Sequence, residues 1–196
     1  IGRLDSMVNR IVLNETSYFG RGSIEKLADE LKNRGYKRVL LVTDKVLYEK
    51  KIAQKALSYI QDGQVVFLDQ SSSALFVAHE LANKKHVTII TNNIEILTTM
   101  AKSKLKVYAS GGYISPTNRN CLIGEDAHDI FSKTHADVLC FSVKSLSSDG
   151  ILYEHTREEI HIHNTMLENA AKKIFLCDSG KFDTYASYKQ CSLKDV

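Results

Sequence analysis

Five short apolar runs, each ended by a polar or glycine-rich corner, restrict this chain to few folds. They read VVFLDQSSS, HVTIITNN, LKVYASGG, DVLCFSVKS and KKIFLCDSGKF. Apolar runs without polar alternation suit strands that are covered on both faces. Between most of them lie stretches of helical spacing, ALFVAHELANK, IEILTTMAKSK and REEIHIHNTMLENAAKK. KIAQKALSYI precedes the series as a further helix, with Ile52, Ala56 and Ile60 on one face. Strand, corner and helix in repetition predict an α/β fold: a mostly parallel sheet with helices on both faces. Ligands of such sheets bind outside the carboxyl ends of the strands, so the five corners should share one edge.

The corner DQSSS carries the clearest candidate site. Ser71, Ser72 or Ser73 can cap the helix that begins at Ala74. Three serines exceed what a cap needs, and a first helical turn also offers free N–H groups and partial positive charge to a phosphate. A plain capped turn and a phosphate seat are both open. GYISPTNRNCLIG, with the single proline of the chain, reads as a surface loop beside the same edge. Arg119 there is either a ligand contact or an ordinary exposed arginine.

Composition removes several function classes. A chain of 196 residues, 43% hydrophobic and 25% charged, suffices for one sizeable core with a smaller appendage. The net charge of +3 is too mild to predict nucleic-acid binding from electrostatics. No apolar run reaches membrane-spanning length, so no membrane partner is expected. The four cysteines form no CxxC pair, which fits a reduced, cytoplasmic compartment. His155, His161 and His163 are the clustered histidines, but residues two apart diverge on a helix. They read as surface or edge histidines, with no metal site and no cofactor expected.

The first 50 residues differ in character. NRIVLNETSYFGRG reads as a strand and a turn, SIEKLADELKNRG as a serine-capped helix, and YKRVLLVTDKVL as a second buried strand. This is an α/β fragment, residues 1–50, ahead of a larger domain, residues 51–196. No helix-turn-helix is legible, so any contact with DNA would come through a domain absent here.

KIAQKALSYIQDGQVVFLDQSSS, TIITNN, VYASGG, ADVLCFSV and IFLCDSGKF together resemble the effector-sensing domain of DeoR-family bacterial transcriptional regulators. The resemblance implies a fold similar to ribose-5-phosphate isomerase and the CoA transferases, and a phosphorylated-sugar effector. It implies that Asp69 and Ser71 to Ser73 cradle the effector, with Thr91 and Asn92 on the next strand end. Gly111 and Gly112 would allow close backbone approach, and Asp178 with Lys181 would close the site. The family's usual glycine is missing from DQSSS, and Lys144 stands where an acidic residue is usual. The family's final strands also have no counterpart after CDSGKF, and the helix-then-strand of the first half is an element of the kind that would complete the sheet. A homo-oligomer is expected, as is a regulatory module without chemistry. The alternative is a sugar-phosphate isomerase-like enzyme, in which Asp69, Asp178 and Lys181 supply acid and base. Residues 9–47, with NET-x-x-FGRG, resemble the N-terminus of iron-dependent alcohol dehydrogenases of the lactaldehyde reductase kind, so a dehydrogenase fragment is a further alternative.

Overall fold

The computed structural model describes residues 52–196 together with three short strands, β1 (Arg10–Leu13), β2 (Glu15–Tyr18) and β3 (Arg38–Thr43). The chain divides into two compact units, residues 1–39 and 40–196. In the first, β1 and β2 form an antiparallel hairpin, so ETSY is a strand where a turn was expected. The expected helix of SIEKLADELKNRG lies outside the described residues.

The second unit is built on five parallel strands: β4 (Val65–Leu68), β5 (Thr88–Thr91), β6 (Lys106–Ala109), β9 (Ala136–Phe141) and β12 (Ala170–Asp178). Their spatial order is β12-β9-β4-β5-β6, with β3 at the edge beside β12. The five apolar runs are these five strands. Helices α1 (Ala53–Leu57), α2 (Ser72–Leu81) and α3 (Ile94–Met100) pack side by side, and α4 (Glu125–Ser132) packs on α5 (Arg157–Glu168). The chain steps outward from β4 to β5 to β6, then returns to β9 and steps the other way to β12. The order therefore reverses between β4 and β9, and a crevice opens at their carboxyl ends.

Strand alternation divides the core between the two helical layers. Phe67, Ile90, Leu139 and Phe141 join one buried cluster with Phe131 of α4 and with Ile162 and Met166 of α5. The Phe67 and Phe131 rings meet edge to face at 5.1 Å. The alternate residues Val66, Leu68, Ile89, Val138 and Cys140 are equally buried and lie outside that cluster. Each such aliphatic or aromatic burial stabilises the fold by about 1.5–3 kcal/mol. Cys140 and Cys177 are buried free thiols within this packing.

Two expectations are corrected. The helix read through Lys173 stops at Glu168, and Ala170 already pairs with Ala136 as β12 begins. Alanine and lysine favour helix, but a buried parallel neighbour outweighs propensity in AAKK. GYISPTNRNCLIG is also more than a loop. It contains a hairpin of β7 (Tyr113–Ile114) and β8 (Leu122–Ile123), fastened by Ser115 N–H to the Cys121 carbonyl at 2.8 Å. A small antiparallel sheet, β10 (Ser145–Leu146), β11 (Ile151–Glu154) and β13 (Tyr188–Ser192), completes the unit. Among the described residues no helix is long and apolar enough to cross a membrane.

Candidate functional site

The crevice at the β4/β9 switch point holds a buried hub, Asp69. Its side chain is fully shielded from solvent and accepts four hydrogen bonds. Oδ1 takes the Ser71 N–H at 3.1 Å and the Ser71 hydroxyl at 2.5 Å. Oδ2 takes the Ser142 N–H, from the corner after β9, at 2.8 Å, and lies 3.0 Å from His163 Nε2. One carboxylate thus ties both sides of the switch point to α5. Burial pushes the His163 imidazole toward its neutral form. The hydrogen bond and charge of Asp69, with the charge of Glu154, outweigh this and raise its pKa. The other ring nitrogen, Nδ1, faces Gln190 Oε1 at 3.5 Å and Glu154 Oε1 at 4.0 Å.

Above this hub lies an open cavity of about 600 Å³. Its floor includes Gln70, Ser71 and Ser72 from the first corner, and Ser142, Val143 and Lys144 from the fourth. Lys181 comes from the fifth corner and Glu95 from the start of α3, while Thr117, Asn118 and Asn120 come from the β7–β8 turn. Glu154, His155, Thr156 and Glu159 complete the lining, and Glu154 Oε1 accepts the Lys144 N–H at 3.2 Å. Burial, reinforced by Glu159 and Asp69, pushes the Glu154 carboxyl up to about 7 against the opposing pull of His163 and Lys181. Glu154 therefore changes protonation near neutral pH, within the cavity wall.

The three serines of DQSSS have different surroundings. Ser71 is the helix cap: its hydroxyl accepts from Ala74 N–H at 3.1 Å while donating to Asp69, so both of its functions are spent internally. Ser72 is exposed and lines the cavity. Ser73 is buried away from it, and its hydroxyl has no hydrogen-bond partner. Because Ser71 takes the Ala74 amide, the N–H groups of Ser72 and Ser73 remain as the donors of the first turn, which lack helical acceptors by construction. Gln70 contributes a buried Oε1 without a partner beside the same cavity.

The remaining expected residues divide. Lys144 and Lys181 line the cavity, and Lys181 Nζ is held by the Val143 carbonyl at 2.7 Å. Asp178 lies behind it, accepting the Gly180 N–H at 2.8 Å and so shaping the turn that presents Lys181. Thr91 and Asn92 are wholly buried and brace the corner instead of lining the cavity. Thr91 Oγ1 accepts from Asn93 N–H, and the Asn92 carbonyl accepts from Leu122 N–H. Gly111 and Gly112 also stand apart from the cavity. Both have positive φ, and a Cβ on Gly112 would lie 2.2 Å from the Ile123 carbonyl oxygen, so this glycine packs the chain against β8. Arg119 is exposed and is not part of the lining, although its neighbours Asn118 and Asn120 are.

Sequence reasoning missed Gln70, Glu154, Glu159 and His163. His163, expected from the sequence to be a surface or edge residue, is only 1% exposed. The divergence of positions 161 and 163 on a helix, already noted, is what buries one and exposes the other. Glu154 and Glu159 flank Thr156, whose side chain caps α5 through Glu159 N–H, and a capped helix start explains acids without predicting a cavity.

Comparison with known proteins agrees with this architecture. The chain is 28% identical over 149 residues to the glycerol-3-phosphate regulon repressor of Escherichia coli, covering 76% of this chain and 59% of the repressor. It is 29% identical over 147 residues to the HTH-type transcriptional repressor GlcR of Bacillus subtilis, covering 74% and 56%. The L-fucose operon activator of E. coli is 26% identical over 133 residues, covering 67% and 54%. The chain thus spans between about half and three-fifths of the length of these relatives. Among solved structures, ribose 5-phosphate isomerase A from Methanocaldococcus jannaschii superposes with a TM-score of 0.50 at 16% identity, over 69% of this chain and 53% of that one. The delta subunit of eIF2B from Chaetomium thermophilum superposes at 0.58 with 17% identity, over 89% and 59%, so the shared feature is the fold. Residues 44–196 match the sequence model of the DeoR C-terminal sensor domain, and the chain belongs to that family.

Proposed function

We propose that residues 44–196 are the effector-sensing part of a bacterial transcriptional regulator of sugar metabolism, and that the 600 Å³ cavity binds a phosphorylated sugar. The observation that carries this reading is that the first turn of α2 and two lysines, Lys144 and Lys181, line the same hydroxyl- and carboxylate-rich hollow. Two free first-turn amides and two cations suit the phosphate. Gln70, Asn118, Asn120, Glu95 and Glu159 suit sugar hydroxyls, which both donate and accept. The named relatives are regulators, and this supports sensing over catalysis. DNA would be reached through a domain outside this sensor, in a homo-oligomer, in the cytoplasm. The cavity is built from residues 70–181, so a dehydrogenase reading of residues 9–47 has no part in this function.

The test is a thermal-shift titration with phosphorylated sugars and polyols, each paired with its unphosphorylated form. Saturable stabilisation by a phosphorylated compound alone is expected, rising with concentration as RT ln(1 + [L]/Kd) requires. Lys181→Ala should remove most of the shift. Equal shifts from both members of every pair, or an undiminished shift in Lys181→Ala, would overturn the phosphate assignment.

A further inference from the structure

A second cluster lies away from the cavity, where α4 meets α5. We propose that Glu125, His128 and His161, assisted by Glu158, form a binding site for a divalent transition-metal ion such as zinc. One ligand atom each of Glu125, His128 and His161 lies within 4.8 Å of the others. Glu125 and His128 are three residues apart on α4, and Glu158 and His161 are three apart on α5. Residues at that spacing share a helix face. Each helix therefore presents a Glu-x-x-His pair, an arrangement suited to holding a metal between two packed helices.

The imidazoles of His128 and His161 stack with centroids 4.2 Å apart and planes 3° from parallel. Beside them is a hollow of about 280 Å³, lined by Glu125, Glu158 and His161 among others. Acidic residues in a first helical turn are explained by the helix dipole alone. The dipole does not explain two imidazoles from different helices set face to face against them. Zinc takes nitrogen at about 2.0–2.1 Å, which puts tetrahedral ligand atoms about 3.4 Å apart. Side-chain rotation closes the remaining gap, and it is available because Glu125 and His161 are exposed and His128 is only half-buried. Two imidazoles with carboxylate suit zinc, nickel or copper over magnesium or calcium, which take oxygen ligands. A bound ion would clamp α4 to α5, the helix whose buried His163 holds Asp69.

The test is calorimetric titration of the full chain, freed of metal by chelator and dialysis, with zinc chloride and with magnesium chloride as control. One zinc ion per chain is expected, with no saturable heat from magnesium. His161→Ala should weaken zinc binding at least about tenfold, the scale seen for losing even an outer partner of a metal ligand. Glu158→Gln should weaken it less. His161 is exposed, so its variant should keep the circular dichroism and urea melt of the parent, and His128→Gln provides an independent second variant. Absence of saturable zinc binding would overturn the proposal. So would zinc binding of equal affinity in His161→Ala, which would place the ion elsewhere, for instance on a cysteine.

Discussion

Asp69→Ala should destabilise the sensor unit by about 3–5 kcal/mol, because it leaves several buried donors without their acceptor at about 1–3 kcal/mol each. Alanine removes the partner whose hydrogen bond and charge raise the His163 pKa, so burial returns that imidazole toward its neutral form with Nε2 unpaired, and it leaves the Ser142 N–H without its acceptor. It also frees the Ser71 hydroxyl, loosening the cap of α2. Urea melts of the parent, Asp69→Ala, His163→Ala and the double variant measure this. The double variant should be more stable than the two single losses added together, because removing both partners leaves neither an unpaired carboxylate nor an unpaired imidazole. Strictly additive losses would show that the pair is incidental. The exposed pair of Lys133 and Asp129, at 2.6 Å, is the control: Lys133→Ala should move the melt little despite the shorter distance, since solvent screens it.

This hub shows what was and was not legible in the chain. Apolar runs bounded by polar corners fixed the five strands, because strands covered on both faces need uninterrupted hydrophobic sequence. The Ser71 cap was also legible, since capping is a local event between residues three apart. The β4/β9 contact was not. Asp69 meets residues 73 and 94 positions away, and nothing local in DQSSS names Ser142 or His163 as partners. The same limit explains Thr91, Asn92, Gly111 and Gly112. They stand at strand ends, as a ligand site requires, yet β8 engages Asn92 and Gly112, Asp126 of α4 lies against Gly111, and short strands of two residues leave little pattern to read. Lys181 could be picked out from the final corner because its turn is set locally by Asp178.

Glu154→Gln should remove the pH dependence that this carboxyl imposes on stability. The folded carboxyl titrates at about 7 against an ordinary 4.5, chiefly because it is buried. Between those values the folded chain holds a proton that the unfolded chain gives up. The stability associated with that proton is fully present below pH 4.5 and is lost as pH rises through 7. A shift of this size corresponds to about 3 kcal/mol, at 1.36 kcal/mol per unit. Glutamine resembles the protonated acid and cannot ionise. The variant should therefore be more stable than the parent by up to about 3 kcal/mol at pH 8, with the gap closing as pH falls toward 4.5. Urea melts of both proteins at pH 5, 6, 7 and 8 test this, and parallel stability curves would refute it. The same residue links pH to the proposed ligand. An anion entering the hollow adds negative charge beside Glu154 and favours its protonated form. Binding of a phosphorylated sugar should then take up a proton and weaken from pH 7 to pH 8, a dependence that Glu154→Gln should flatten while Lys181→Ala removes the affinity itself.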